Sequence, residues 1–325
     1  MIRNLKRNLI IGLALAVGLY FIMGFYADFG RLLELLHDFD WYLIFPALGF
    51  VLINYLVRFV KWEFLLRTIN VRIPLKPSFT IFISGFTMTL SPAKLGEVLK
   101  SFMLKEYANI PISRTSPVIV AERVSDTMGI VILGAAGTVV YGFGREVLAV
   151  AIALLAVFIG IVQSRGLCLR MLKLAERLPL VRRFVVHLEQ FYEAAYVLLK
   201  ARILVTAVLL SVVSWFFEGL AAWLCLKGLG LDTSLLLVTF IFAFSSLAGA
   251  MAMVPGGLGV TEGSMAGLLV VNGVGSDAAI AGTLIIRLTT FWFAILLGVV
   301  AVYSFGLFST HRFKSVMPHQ FENKD

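Results

Sequence analysis

Five ionisable side chains lie within long apolar stretches of the sequence. Glu122, Arg123 and Asp126 belong to "AERVSD", while Glu218 and Arg287 belong to "SWFFEGL" and "IIRLTT". A charge in such surroundings costs several kcal/mol unless it is paired or faces water. Glu122 and Asp126 share one helix face, and Arg123 can reach Asp126. These residues predict ligand binding or proton transfer; the alternative is a set of buried ion pairs that only fix helix packing.

Arg287 has two candidate partners. Counted from the outer ends of their apolar stretches, Glu218 and Arg287 lie at nearly the same depth, which favours a pair between them. Glu262, farther along the chain, is the other candidate.

Two further apolar stretches are interrupted, at "LSPAKLGE" and at "VPGGLG". Their distinctive residues are Pro92, Lys94, Gly96, Glu97 and Lys100 at the first break, and Pro255, Gly256, Gly257, Gly259 and Glu262 at the second. Glycine adopts backbone angles closed to other residues, and a helix that begins after each proline would present free N–H groups suited to a phosphate. The alternative is a structural kink. The glycines lack the Walker pattern, so nucleotide hydrolysis is not indicated.

Composition identifies the environment of these residues. The chain has 325 residues, of which 60% are hydrophobic and 14% charged, and its mean hydropathy is +0.94. An average soluble domain has roughly 25% charged residues, so we predict an integral membrane protein. The two cysteines and four histidines are scattered, and we expect no disulfide, no metal site and no cofactor.

The apolar segments predict the helices that must position the charged residues. Full spans are predicted at residues 9–26, 41–60, 116–141, 147–163, 203–226 and 278–308, and interrupted stretches at 79–107 and 235–272. The part before Pro92 has about 13 uncharged residues, or roughly 20 Å of helix, which is too short for a bilayer core about 30 Å thick. We therefore predict an all-α membrane protein with six full spans and two re-entrant hairpins, in one polytopic domain over residues 1–325.

The basic residues predict its orientation. With both termini in the cytoplasm, most of the 28 Lys and Arg fall on the cytoplasmic side, and Arg31, Arg145 and Lys227 fall outside. The net charge of +9 then reflects topology in the cytoplasmic membrane, and we expect no nucleic-acid partner. Residues 165–202 read as a cytoplasmic amphipathic connector on the anionic leaflet, or as a solvated connector. Glu122 would lie in the bundle or near the cytoplasmic headgroups.

An internal repeat follows from the same map. Pro92 precedes Gly96 by four residues, as Pro255 precedes Gly259, and Arg123 and Arg287 follow those glycines at spacings that differ by one residue. A glycine follows each arginine eleven residues later, at Gly134 and Gly298. Residues 41–141 and 203–308 would thus be inverted copies, an arrangement that points to a transport site near the midplane.

The second predicted span also carries polar residues. Asn54, Arg58 and Lys61 lie near its cytoplasmic end with Trp62 beside them. This pattern is typical of interfacial anchoring, although Arg58 could contribute to the mouth of a cavity.

Four of these motifs carry a family resemblance. "RFVKWEFLL", "LSPAKLGEVLKSFML", "AERVSDTMGIVILG" and "VPGGLGVTEG" resemble the flippase-like domain of the lysylphosphatidylglycerol synthase transmembrane family, which is also fused to some archaeal glycosyltransferases. The resemblance spans about residues 4–308 and implies a lipid translocase, which in the family moves an aminoacylated phospholipid to the outer leaflet. The matching motif positions are Pro92, Gly96, Glu97, Glu122, Arg123, Asp126, Gly257, Gly259 and Glu262. Only a short tail follows Phe308, so we expect no soluble aminoacyl-transfer domain and no lysyl transfer.

The leading hypothesis is therefore a flippase for an anionic, aminoacylated or isoprenoid-linked lipid that works by alternating access. Lys94, Arg123 and Arg287 would hold the phosphate, and Glu97, Asp126 and Glu262 are candidates for proton coupling. The expected partners are the lipid itself and, as an associated protein, a lipid-modifying enzyme or glycosyltransferase. The alternatives are a secondary transporter of a small anion, a membrane enzyme of lipid-linked glycan or phospholipid modification, and a non-catalytic subunit of such an enzyme.

Overall fold

The computed structural model describes residues 29–90, 97–168 and 185–316, together with the single positions 18 and 170; side chains are described except at residues 29, 185 and 306–316. The predicted span at 9–26 falls outside these residues, apart from position 18. So do Pro92, Lys94 and Gly96 of the first break, and residues 169 and 171–184 of the predicted connector.

The regular structure of the described chain is helical. Its helices are α1 (Phe29–His37), α2 (Ile44–Thr68), α3 (Leu75–Ser84), α4 (Leu99–Ala108), α5 (Ile112–Tyr141), α6 (Arg145–Gln163), α7 (Val185–Leu198), α8 (Ala201–Gly228), α9 (Leu235–Met251), α10 (Val260–Val271), α11 (Ser276–Arg287) and α12 (Phe293–Val316). Short 3₁₀ turns cover Trp41–Leu43, Gly85–Leu90 and Pro255–Gly257. The prediction of an all-α protein is confirmed for this part of the chain.

Five stretches of the described chain are long and apolar enough to cross a membrane. They are Trp41–Thr68, Ile112–Tyr141, Arg145–Gln163, Ala201–Gly228 and Ser276–Phe305. Each contains or closely matches a predicted full span, so five of the six predicted spans are confirmed by length and composition. The protein is a multi-pass membrane protein.

At both predicted interruptions the described residues leave the α-helix; residues 91–96 of the first lie outside the described chain. In the first, α3 continues into the 3₁₀ turn Gly85–Leu90, and α4 begins only at Leu99. In the second, α9 ends at Met251 and α10 begins at Val260. In each case the two helices flanking the break pack against each other. None of these four helices reaches the 20 or so residues that a membrane crossing needs.

Four helices form the centre of the molecule. α8 packs along α2 and also against α5 and α9, and α5 packs against α9 as well. Small residues permit the close approach, as is usual between membrane helices: a Cβ on Gly129 of α5 would lie 2.9 Å from Ser211 Cβ on α8.

The last helix closes the bundle against the first break. α12 packs on α3 and on the 3₁₀ turn that follows it. A Cβ on Gly298 would lie 2.6 Å from the backbone N of Thr87, so glycine is required for this contact. The 3₁₀ turns Gly85–Leu90 and Pro255–Gly257 contact each other, and Leu90 clusters with Leu258, Phe291 and Ile295. The two breaks therefore meet inside the molecule.

A π-helical turn lies next to the second break. Leu288–Trp292 adopts this conformation directly after Arg287, between α11 and α12. π turns are rare and are often found at functional sites. This turn sets the rotation of Thr290 and Phe291 relative to Arg287, and nothing in the sequence predicted it.

Candidate functional site

A cavity of about 290 Å³ lies between the two breaks and the central helices. One group of lining residues comes from helices α2, α5, α8 and α9. Another group comes from the second break, Arg287 and the π turn. Among the described residues, the charged side chains that line it are Arg58, Glu97, Arg123, Asp126, Glu218 and Arg287. Five of these six are site residues predicted from the sequence; for Arg58 the sequence indicates only a possible contribution to a cavity mouth.

Asp126 is the centre of a buried cluster on the α2, α5 and α8 side. Its Oδ1 accepts hydrogen bonds from Lys61 Nζ and, at 3.0 Å, from Ser211 Oγ. Its Oδ2 lies 3.0 Å from Arg123 Nη2 and 3.5 Å from Arg58 Nη2. The predicted contact between Arg123 and Asp126 within one helix is confirmed.

The same cluster extends to the helix after the first break. Arg123 Nη2 lies 3.4 Å from Glu97 Oε2, and Lys100 Nζ lies 3.8 Å from that oxygen. Lys100 also donates to Glu122 Oε2 and lies over the Trp62 ring, 4.6 Å from its centroid. Lys100 and Glu122 are buried behind the described cavity lining. Neither residue is part of the cavity lining among the described residues, although both were predicted to bind substrate.

Arg287 and Glu262 form the corresponding pair at the second break. Arg287 Nε donates to Glu262 Oε1 at 2.7 Å, and Arg287 Nη2 donates to the carbonyl oxygen of Gly256 at 2.9 Å. The guanidinium also lies over the Phe291 ring, 3.9 Å from its centroid. Arg287 therefore ties the break to α10 and to the π turn.

The glycines of the second break adopt the conformations that the sequence predicted. Gly256, Gly257 and Gly259 have φ values of 65°, 66° and 85°, which side chains with a Cβ rarely adopt. Pro255 begins the 3₁₀ turn, and α10 begins after Gly259. Gly257 also lies close to Gly249 of α9, since a Cβ at 257 would be 3.3 Å from Gly249 Cα.

One expectation about this break is corrected. The helix amino terminus was predicted to present free amides to a ligand, but Gly259 N–H donates to Glu262 Oε2 at 2.8 Å. A carboxylate of the protein itself thus occupies the position nearest the helix start.

The preferred partner of Arg287 is also corrected. Glu262 pairs with Arg287, whereas Glu218 lines the cavity from α8. Depth along a span does not determine which way a side chain faces, and the π turn and the second break turn Arg287 toward α10.

The anchoring interpretation of α2 is wrong. The side chains of Lys61 and Trp62 are fully buried, and Lys61 binds both Asp126 and Ser211. Asn54 Nδ2 donates to the carbonyl oxygen of Ser214 at 2.7 Å. The missed signal was the spacing, because positions 54, 58 and 61 fall on one helix face. Ser211, Trp215 and Glu218 of α8 repeat that spacing, and Trp215 was also missed.

Within the described ranges, no group of three or more His, Cys, Asp or Glu residues is placed to hold a metal ion. The arrangement instead offers guanidinium groups, carboxylates and backbone carbonyls around one cavity. It can bind a polar or charged group inside an otherwise apolar bundle.

Comparisons with known proteins agree on one group. A family model described as the Lysylphosphatidylglycerol synthase TM region matches residues 9–298. Two proteins of Methanothermobacter thermautotrophicus described as UPF0104 membrane proteins are 30% and 26% identical, over 292 and 272 residues; the alignments cover 83% and 76% of this chain and 85% and 80% of the relatives. A UPF0104 membrane protein of Pyrococcus horikoshii is 24% identical over 328 residues, covering 92% of this chain and 97% of the relative.

Proposed function

Because the chain belongs to the lysylphosphatidylglycerol synthase TM region family, we propose that it translocates a lipid, with the headgroup passing through the cavity between its two breaks. The observation that carries this proposal is that Arg58, Arg123 and Arg287 line one cavity together with carboxylates, within helices that are otherwise apolar. Ionisable residues at membrane depth usually mark a substrate or ion pathway. Non-helical backbone at such depth is tolerated where it lines a cavity.

The size of the cavity is consistent with a headgroup. About 290 Å³ is at the lower end of the range for small-molecule sites. A headgroup would occupy this space while the acyl or isoprenoid chains remain in lipid. The proposed cargo is an anionic lipid, aminoacylated or isoprenoid-linked.

The contacts of the two breaks support an inverted repeat with two re-entrant segments. After the first break Glu97 lies against Arg123, and after the second Glu262 pairs with Arg287. The packing is reciprocal too: α5, which ends the first half, packs on α9 of the second, and α12, which ends the second, packs on α3 of the first. We propose that rocking of residues 41–141 against 203–308 alternates access to the cavity.

Orientation, energy source and partners are part of the same proposal. The distribution of Lys and Arg favours cytoplasmic termini in the cytoplasmic membrane, with residues 165–202 on the cytoplasmic face. We propose transport and not catalysis, driven by a gradient, a partner or mass action. Proton coupling at Glu97, Asp126 or Glu262 stays a prediction, as does association with a lipid-modifying enzyme or glycosyltransferase.

Reconstitution tests the proposal. Purified protein in liposomes should accelerate the exchange of a fluorescent anionic lipid between leaflets, measured by a quencher added outside. Arg123→Ala should slow the protein-dependent exchange by roughly tenfold or more, because a charged hydrogen-bond donor to the headgroup is lost. Arg72→Ala, which removes an exposed arginine, should leave exchange unchanged.

Two results would reject lipid translocation. One is exchange no faster than in protein-free liposomes for every anionic lipid tried. The other is uptake of a soluble anion into the same liposomes without lipid exchange, which would favour the small-anion transporter.

A further inference from the structure

Three buried N–H groups without an acceptor belong to residues that line the cavity. Among the residues that the structure describes, none accepts a hydrogen bond from Trp215 Nε1, Arg58 Nε or Arg123 Nε. All three residues line the cavity, and Trp215 and Arg58 are only 7% and 9% exposed. A buried donor without a partner costs roughly 1–3 kcal/mol, so such groups usually have an acceptor in the functional state.

The three donors come from three different helices. Arg58 lies on α2, Arg123 on α5 and Trp215 on α8. The Arg58 guanidinium contacts two rings, with its Cζ 5.4 Å from the Phe86 centroid and 5.9 Å from that of Trp215. Ring contacts of this kind hold the guanidinium without using its N–H groups.

Asp126 does not accept hydrogen bonds from all the N–H groups of Arg58 and Arg123. Lys61 and Ser211 already bind its Oδ1, and Arg58 and Arg123 share its Oδ2, with Arg58 at the longer distance of 3.5 Å. Lys61 therefore acts as a positioning residue that binds Asp126 from behind. The ion-paired network as a whole contains four cations, Arg58, Lys61, Lys100 and Arg123, and three carboxylates, Glu97, Glu122 and Asp126.

Arg287 differs from these two arginines. Its Nε and Nη2 bind Glu262 and the Gly256 carbonyl. These contacts hold the backbone of the second break, whereas the sequence predicts that Arg287 binds the phosphate.

We propose that Arg58, Arg123 and Trp215 form an oxyanion subsite that takes one phosphate group. A phosphate presents several oxygens in a tetrahedral arrangement and can accept from donors on three sides, and arginine is well suited to it. Glu218 lies on the same cavity wall and would repel a second negative group, which favours a phosphate of low charge. This inference rests on the proposed function in one respect only, namely that the molecule carrying the phosphate is a lipid.

Equilibrium binding tests the subsite without requiring transport. The probes are radiolabelled inorganic phosphate and a radiolabelled dioctanoyl phosphatidylglycerol, each added to the purified full chain in detergent. Trp215→Phe keeps the aromatic packing against Phe242 and removes the N–H; Arg58→Lys keeps the charge and removes Nε–H. Each should weaken binding by roughly tenfold or more.

Trp223→Phe is the matched control. Trp223 lies on the same helix, is outside the cavity lining of the described chain, and donates to the carbonyl oxygen of Thr233. The Trp223→Phe variant should bind both probes as tightly as the unchanged protein does. Binding of the lipid alone would assign the site to a headgroup, and binding of inorganic phosphate alone would assign it to a soluble anion; either is consistent with the subsite.

Two outcomes would overturn the subsite. One is that neither probe binds the unchanged protein; the other is that folded Trp215→Phe binds the probes as tightly as Trp223→Phe. The proposed function is judged separately. Intact binding without lipid exchange would reject translocation and keep the subsite, whereas lipid exchange with unaltered binding in Trp215→Phe would reject the subsite alone. If Arg58→Lys fails to fold, Trp215→Phe is sufficient.

Discussion

Arg287 and Glu262 are each buried and each bind the backbone of the second break as well as one another. In an apolar bundle the removal of one member leaves the other as an uncompensated charge. The pair therefore specifies how the break is folded, and its loss should be visible in stability before any effect on transport is considered.

The first prediction concerns this pair. Arg287→Ala should destabilise the protein by about 3–5 kcal/mol, because Glu262 is left buried without a cation. Arg287→Met combined with Glu262→Gln should recover most of the loss. Thermal denaturation in detergent measures the stability of both variants, with Arg72→Ala as the control. A double variant less stable than Arg287→Ala would contradict the ion-pair explanation.

The second prediction concerns Lys61, which the sequence had suggested was an interfacial anchor. Lys61→Met should lower stability by about 1.5–3 kcal/mol, since Asp126 loses the hydrogen bond from its fully buried partner but keeps Arg58 and Arg123. Addition of Asp126→Asn should not restore it, because Arg58 and Arg123 then lose the carboxylate that they share. Lys105→Met, which alters an exposed lysine, provides the comparison, and an equal melting temperature for the two single variants would show that Lys61 does not have this role.

At the scale of elements, the two breaks were predicted more reliably than their contacts. Proline and glycine in an apolar stretch interrupt a helix regardless of tertiary context, so both interruptions and the positive φ angles of the second could be predicted. The contact between the breaks could not, because it depends on how α3, α9 and α12 pack.

The third prediction belongs to this scale. Gly257→Ala should destabilise the protein by about 1–2 kcal/mol or more, because its φ of 66° disfavours a Cβ and the added atom would meet Thr261 Oγ1. Gly263→Ala is the control, since a Cβ there has open space. Equal thermal stability of the two variants would mean that the described conformation of the break is wrong.

At the scale of the whole molecule, orientation in the membrane is the property most directly open to test. The distribution of basic residues predicts that Ser164 faces the cytoplasm and Asp232 the outside. With Cys168→Ser and Cys225→Ala as background, a membrane-impermeant maleimide should label Asp232→Cys in intact cells. Ser164→Cys should react only after permeabilisation, and the reverse pattern would invert the proposed topology.

Local sequence patterns were enough to predict the membrane environment and the parts of the molecule: a multi-pass membrane protein, five of its spans, both breaks, and the charged residues that must be sheltered. These follow from local composition, since burial of backbone and charge in lipid allows few solutions. Three-dimensional packing selected the contact partners of these residues. It paired Arg287 with Glu262 and not Glu218, and it turned Lys61 inward and placed Trp215 on the cavity wall. Helix rotation and packing control these contacts, and they depend on residues far apart in the chain.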